Sequence, residues 1–329
     1  MRYPIRLNRS ATQLVRWLGC CTLAMLFLAT SSFAADLRLG IIGTDSSHSV
    51  EFTRILNDAA SPDHVSGARV VAVFKSGSPD VESSSSRIER FTAELKDKWH
   101  LPFVTRIGDL CPLVDGILIE SVDGRPHLDQ FRQAAACGKP VFIDKPLAST
   151  LADAREIDRL AAADKIPWFS SSSLRFGPIQ AMRSPDLEGA FVWGPGPLEK
   201  HHQLDLSWYA IHPVEMLFTL MGTGVEQVTR TYSPGSDVVT GIWKGGRIGT
   251  VRAIRPYGSY GAVAFHPKNK TVVNNNVVVG YAPLVEKIVE FVRTGVPPVP
   301  NQETMEIFSF MDAAQRSRDS GGGPISITK

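Results

Sequence analysis

Two side chains in this sequence can move protons at the hydroxyl of a small molecule. Lys145 follows the apolar run Val141-Phe142-Ile143 and Asp144 and precedes Pro146. That context sets it at a strand end, on the sheet edge where ligands of α/β folds collect. An ammonium there stabilises a developing alkoxide or lowers a hydroxyl's pKa; the competing role is a structural ion pair with Asp144. His212 lies in Trp208-Tyr209-Ala210-Ile211-His212-Pro213-Val214-Glu215. Histidine is the natural acid–base group near neutral pH, and a hydrogen-bonded core histidine is the alternative. Trp208 and Tyr209 beside it suit stacking against a sugar face, and equally suit core packing.

A third feature sits near the start. The dinucleotide fingerprint G-x-G-x-x-G needs glycines for a tight turn, for close approach of the pyrophosphate and for helix–strand packing. This chain reads Gly43-Thr44-Asp45-Ser46-Ser47-His48, with only the first glycine kept. A carboxylate at Asp45 opposes a phosphate by about 4 kcal/mol at 4 Å and an effective dielectric constant near 20. Alternatively Asp45 is the helix cap. Ser46, Ser47 and a protonated His48 keep the capacity to hydrogen-bond an anion at a helix start. After the second strand Lys75-Ser76 replaces the expected ribose-binding acid, so Lys75 either favours a 2′-phosphate or is a solvated surface lysine. His201, His202 and Asp205, with Asp45, His48, Glu120, Asp123 and His127, invite a metal assignment. No tight spacing such as H-E-x-x-H supports it, and no metal is expected.

The elements that must position these residues alternate. Strands are expected at 37–42, 69–74, near 103–104, at 116–119 and at 141–143. Helices are expected at about 48–59, around 88–99 and from Pro126 to Cys137, with the serines at 83–86 in a loop. Continuous apolar strands separated by helices predict a doubly wound parallel sheet, a Rossmann-like nucleotide-binding domain over residues 35–148. Thr150-x-x-Asp153 opens a further helix. Beyond about Gly189 strands dominate, at 241–254, 262–265 and 272–279, and two helices close the chain. The expected fold is thus α/β, with a second α/β substrate domain over 149–329 built on an open, mainly antiparallel sheet. Its last helices can pack back on the first domain.

The leading 34 residues read as an export signal, with an uncleaved membrane anchor as the alternative. Arg2, Arg6, Arg9 and Arg16 precede an apolar stretch from Leu18 to Ala29, then Ser31-Ser32-Phe33-Ala34 supplies small residues for a cut after Ala34. The formal charge of +2 belongs to this segment: without its arginines 31 basic residues face 33 acidic ones. Bulk charge therefore gives no support for nucleic-acid binding. Cys20 and Cys21 leave with the signal, and Cys111 and Cys137, which lack metal or redox spacing, are read as structural. The expected location is periplasmic or secreted, with no stable membrane span after cleavage.

Pro126-His127-Leu128, followed by Ala134-Ala135-Ala136-Cys137-Gly138-Lys139-Pro140-Val141-Phe142-Ile143-Asp144-Lys145-Pro146-Leu147-Ala148, resembles a signature of the glucose–fructose oxidoreductase / inositol dehydrogenase / rhizopine catabolism (Gfo/Idh/MocA) family. Gly40-Ile41-Ile42-Gly43 is similar to that family's first strand, and 281–289 with 311–314 to its closing helices. The resemblance implies NAD- or NADP-dependent oxidation or reduction of a sugar, cyclitol or derivative. It implies that Lys145 contacts the reacting hydroxyl and the nicotinamide region, that His212 is the acid–base group, and that Glu215 is a later acid of the same motif. Trp208 stands where the family has Asp. The expected site is then Lys145 and His212 as catalytic residues, with Gly43, Thr44, Ser46, Ser47, His48 and Lys145 at the cofactor. His127, Trp208 and Tyr209 are expected at a carbohydrate-like substrate. A homo-oligomer is compatible with this reading. The alternatives are a carbohydrate-binding protein without cofactor chemistry, or a non-redox lyase or hydrolase on the same fold.

Overall fold

The short apolar runs of the first half pair side by side. In the computed structural model, which describes residues 35–327, they form β1 (Leu37–Ile42), β2 (Ala68–Phe74), β3 (Phe103–Val104), β4 (Gly116–Ile119), β5 (Val141–Ile143) and β6 (Trp168–Phe169). The expected signal, its cysteines and its cut after Ala34 lie outside the described residues. All pairings in this sheet are parallel, in the order β3-β2-β1-β4-β5-β6. Strand order therefore reverses between β1 and β4, and the crevice beyond their carboxyl ends is where such a sheet binds ligands. The sheet continues past residue 148, the expected limit of the first domain, to Phe169.

Helices α1 (Ser47–Asn57), α2 (Glu82–Ser85), α3 (Ile88–Ala93), α4 (His127–Ala135) and α5 (Leu151–Asp164) connect these strands. The serine run expected as a loop closes one helical turn, α2. Helix α3 continues into a wider π-type turn at Glu94–Lys98. Thr150 caps α5, its hydroxyl accepting from the Asp153 N–H at 2.9 Å. Gly138, at φ +63°, ends the α4 region in the left-handed conformation that glycine adopts freely. A disulfide joins Cys111 to Cys137 at that end.

The second sheet contains β7 (Gly189–Pro195), β8 (Val225–Ser233), β9 (Ser236–Trp243), β10 (Ile248–Ile254), β11 (Gly261–His266), β12 (Lys270–Asn274) and β13 (Ile325–Ser326). It is mostly antiparallel, with one parallel pair, β7 and β10. The run expected as one strand at 241–254 is split by a turn at Lys244–Gly246, where Gly245 and Gly246 both have φ +82°. Similarly β12 stops at Asn274, before the polar run Asn275-Asn276. Helices α6 (Asp205–Trp208) and α7 (Ile211–Met221) follow β7. α7 is apolar nearly all round and packs on β7 and β10. Helices α8 (Ala282–Thr294) and α9 (Asn301–Asp319) close the chain. α8 returns to the first sheet, where Leu284, Ile288 and Phe291 share a core with Leu39, Phe52 and Phe142. No helix among the described residues is long and apolar enough to cross a membrane.

Candidate active site

The turn after β1 is set by one glycine. Gly43 has φ +99°, and a Cβ there would lie 2.5 Å from the Ser121 backbone nitrogen, so no other residue fits without displacing β4's end. Ser46 is the cap of α1, its hydroxyl accepting from the His48 N–H at 3.1 Å. Neither sequence reading of Asp45 holds. It is not the cap, and its carboxylate does not face a phosphate at the helix start. Its Oδ2 accepts from the Ser84 hydroxyl at 2.6 Å and its Oδ1 from the Val122 N–H at 3.1 Å. The side chain thus staples the ends of β1 and β4 to α2, and burial pushes its carboxyl up from the ordinary range. Thr44 is also turned inward. Its hydroxyl meets that of Thr92 at 2.8 Å, and its N–H donates to the Ser76 carbonyl at 3.0 Å.

Beside this turn a buried charge cluster forms the pocket floor. His48 Nδ1 lies 2.6 Å from Asp144 Oδ2, and the Lys145 N–H donates to Asp144 Oδ1 at 2.8 Å. Asp144 therefore pairs with His48, not with the Lys145 ammonium. That ammonium, on a side chain only 9% exposed, has no hydrogen-bond or ion-pair partner among the described residues. It lies 6.0 Å from the centre of the Tyr209 ring. Glu120, fully buried, brings a carboxylate oxygen to within 4.8 Å of ligand atoms of His48 and Asp144. Both Glu120 oxygens lack a hydrogen-bond partner. Burial, then the charge of Asp144, drives its carboxyl well above the usual range, with Lys145 opposing.

Across the cavity stands His212, in the first turn of α7. Burial, then the charges of Lys145 and His48, hold its pKa well below the ordinary value, and the ring is neutral at pH 7. Nδ1 is 2.7 Å from the Ser172 hydroxyl. The tautomer that donates Nδ1–H to Ser172 leaves Nε2 free to act as a base. Tyr209 stands edge-on to His212 at 5.3 Å and Tyr260 at 5.9 Å. The cavity so formed is about 410 Å³ and is lined by Ser46, Ser47, His48, Lys145, Trp208, Tyr209 and His212 of the expected residues. A volume of that size suits one small polar molecule.

Other expected residues are elsewhere. His127 is fully buried, with Nε2 2.9 Å from the Ser121 carbonyl, and does not line the cavity. It ties the start of α4 to β4's end, so the substrate role expected for it is corrected to a structural one. Glu215 is buried against Arg175, and Arg175 also meets Glu303 at 2.7 Å. Trp208 and His212 are not on one continuous helix, because the chain breaks between α6 and α7. Lys75 is paired with Glu89 at 2.7 Å. Of the candidate metal ligands, His202 binds Asp123 at 3.0 Å and Asp205 binds Arg230 at 2.7 Å. Sequence reasoning missed Ser83, Arg87, Tyr257, Tyr260 and Tyr281, all on the cavity wall. Only the serine run and the spacing of tyrosines in turn-rich segments hinted at them.

A family model described as an oxidoreductase family with an NAD-binding Rossmann fold matches residues 37–169. The Salmonella typhimurium protein YceM is 29% identical over 83 residues, which is 25% of this chain; the match spans only 27% of that protein's length. The structure of myo-inositol dehydrogenase from Lactobacillus casei, solved with NAD(H) and myo-inositol, superposes with a TM-score of 0.69 at 17% identity, covering 90% of this chain and 98% of that one. An oxidoreductase from Agrobacterium radiobacter, in complex with NAD+, L-tartaric acid and magnesium, gives 0.68 at 14% identity, with 89% and 99% covered. At such identities these structures establish the shared fold.

Proposed function

The chain belongs to the Gfo/Idh/MocA oxidoreductase family through its NAD-binding Rossmann domain, and from that premise we propose that it is an NAD(P)-dependent oxidoreductase of a sugar, cyclitol or related polyol. The observation that carries this reading is the pairing across one cavity of a neutral buried imidazole, His212, and an unpartnered ammonium, Lys145. His212 Nε2 takes the proton of the reacting hydroxyl, and Lys145 holds the oxygen as negative charge builds on it. Tyr209 and Trp208 present ring faces and edges to the carbon skeleton.

The residues at the helix start fit a dinucleotide. The Gly43 turn is kept, Asp45 is turned away, and Ser46, Ser47 and His48 line the cavity where α1 begins. Those three and Lys145 would hold the cofactor, which when bound supplies a hydride acceptor or donor. Titration with NAD(H) and NADP(H) tests this. Binding, with turnover of a polyol lowered about 10²- to 10⁴-fold in His212→Asn, is the expected result. No binding at millimolar concentration overturns the redox reading. One observation favours a binding protein without redox chemistry instead. The Ser84 hydroxyl of the segment after β2 bonds Asp45, and Lys75, paired with Glu89, stands where a ribose-binding acid is expected at the end of β2. Under that reading a polyol binds without cofactor.

Export to an oxidising compartment completes the proposal. The Cys111–Cys137 disulfide supports it, since such bonds persist outside the reducing cytosol. Amino-terminal sequencing of protein recovered from cell fractions tests it, with Ala35 as the expected first residue.

A further inference from the structure

The cavity is lined by cations with no anion facing them. Among the described residues on its wall, Lys145 and Arg87 are charged, and none carries a carboxylate. Lys145 has Asp144 and Glu120 behind it, outside the cavity lining. Arg87 has no such backing. It is exposed at the start of α3, and its guanidinium makes no hydrogen bond or ion pair with any described residue. Arg38, Arg54, Arg106 and Arg125 of this first domain each hold a carboxylate at 2.8 Å or less; of the arginines that hold none among the described residues, such as Arg69, Arg87 and Arg90, it is Arg87 that lines the cavity. Near Arg87 on the same wall, the Ser83 hydroxyl is buried and lacks a partner. Both lie on the 76–87 segment, and Tyr209, Tyr257 and Tyr260 line the same cavity. Arg87 shares the cavity wall with Tyr209 and His212, which meet edge-on, while Ser46 and Ser47 sit at the helix start that suits a cofactor phosphate.

We propose that the substrate is a sugar acid, whose carboxylate is held by Arg87 and Ser83 while a ring hydroxyl meets Lys145 and His212. A guanidinium matches a carboxylate with two parallel N–H donors, and a free hydroxyl adds a third. The carbon skeleton between carboxylate and hydroxyl then lies against Tyr209 and Tyr257. The assignment rests on reading Lys145 and His212 as the reaction centre, but its test needs binding alone.

Tryptophan fluorescence of the full mature chain, with Trp208 in the cavity wall, reports occupancy. A panel of uronates and aldonates is titrated beside the neutral parent sugars at constant ionic strength, with pyrophosphate as the competing anion. At least one acid binds about tenfold or more tightly than its neutral parent. Arg87→Gln removes that margin and leaves the affinity for the neutral sugar, while Arg87→Lys restores part of it. Arg87 is exposed, so an unchanged melting temperature certifies the fold of both variants. Equal affinity of every acid and its parent overturns the proposal, as does a margin that survives Arg87→Gln. Pyrophosphate binding that depends on Arg87, with no preference for acids, assigns the charge to a cofactor phosphate and also overturns it. Acid preference without any NAD(P)-linked turnover supports it and removes only the oxidoreductase reading.

Discussion

Arg230 is 1% exposed and Lys145 is 9% exposed, so both are cations taken out of water at a cost of several kcal/mol. Arg230, on β8, recovers it through bonds. Its guanidinium donates to both oxygens of Asp205, at 2.7 and 3.0 Å, and to Asp237 at 2.9 Å. Arg255 and Arg318 add further donors to the same two carboxylates. Every member of that cluster is satisfied. Lys145, at the end of β5, has no such partner, and Glu120 beside it leaves both oxygens unbonded. Natural folds keep buried polar groups paired, so an unpaired set points to a ligand, a proton or a function that compensates it. The first cluster fixes the second sheet; the second cluster awaits something.

Removing each cation is the sharpest way to break this contrast. Arg230→Met leaves two buried carboxylates short of a partner and costs about 3–5 kcal/mol in urea unfolding. Lys145→Met removes no bond and changes stability by about 1 kcal/mol or less, yet abolishes ligand binding measured by fluorescence. A Lys145 variant as unstable as the Arg230 one refutes the division between structural and functional clusters.

The same contrast explains what was legible in the sequence. Strands such as β2 (Ala68–Phe74) and β4 (Gly116–Ile119) announced themselves because one local property, apolarity bounded by turn residues, sets them. Lys145 and His212 were nominated by side-chain chemistry together with the family resemblance, and the fold brings both to one cavity wall. Asp45 was misread because its role depends on Ser84 and Val122, distant in sequence, and no local pattern encodes which way a side chain turns. His127 was misplaced for a related reason: resemblance located it at a helix start, but the two carbonyls around it come from β4's end and from Leu147. Arg87 escaped notice because an exposed arginine in a serine-rich run is ordinary until its lack of a partner is seen.

Asp45 supplies the next test, because it belongs with Arg230 although it lies beside Lys145. Asp45→Ala strands the Ser84 hydroxyl and the Val122 N–H in a buried place, at about 1–3 kcal/mol. Asp45→Asn keeps one acceptor, for the Val122 N–H, and turns the other position into a donor that the Ser84 oxygen can accept from, so it costs less. A calorimetric melt separates them. If Asp45→Ala is as stable as the parent but fails to bind ligand, the staple is part of the binding site and the line between the clusters moves.

Glu120 gives the smallest and most discriminating effect. Its folded pKa is raised well above the value near 4.3 of an unfolded chain, by burial first and by Asp144 second, with Lys145 opposing. Between those two values the folded protein holds a proton that the unfolded chain has released. Its contribution to stability is therefore complete at acid pH and falls as pH rises, by up to about 1.4 kcal/mol per pH unit, until the folded pKa is passed. Glu120→Gln has no proton to lose. The stability difference between variant and parent should thus grow in the variant's favour from pH 5 to pH 8, while other groups cancel in the comparison. A flat difference means that Glu120 is ionised and compensated throughout, by His48 or by a bound cation reaching the 4.8 Å cluster. In that case the floor of the pocket is as satisfied as the Arg230 cluster, and Lys145 and Arg87 alone mark the functional side of the molecule.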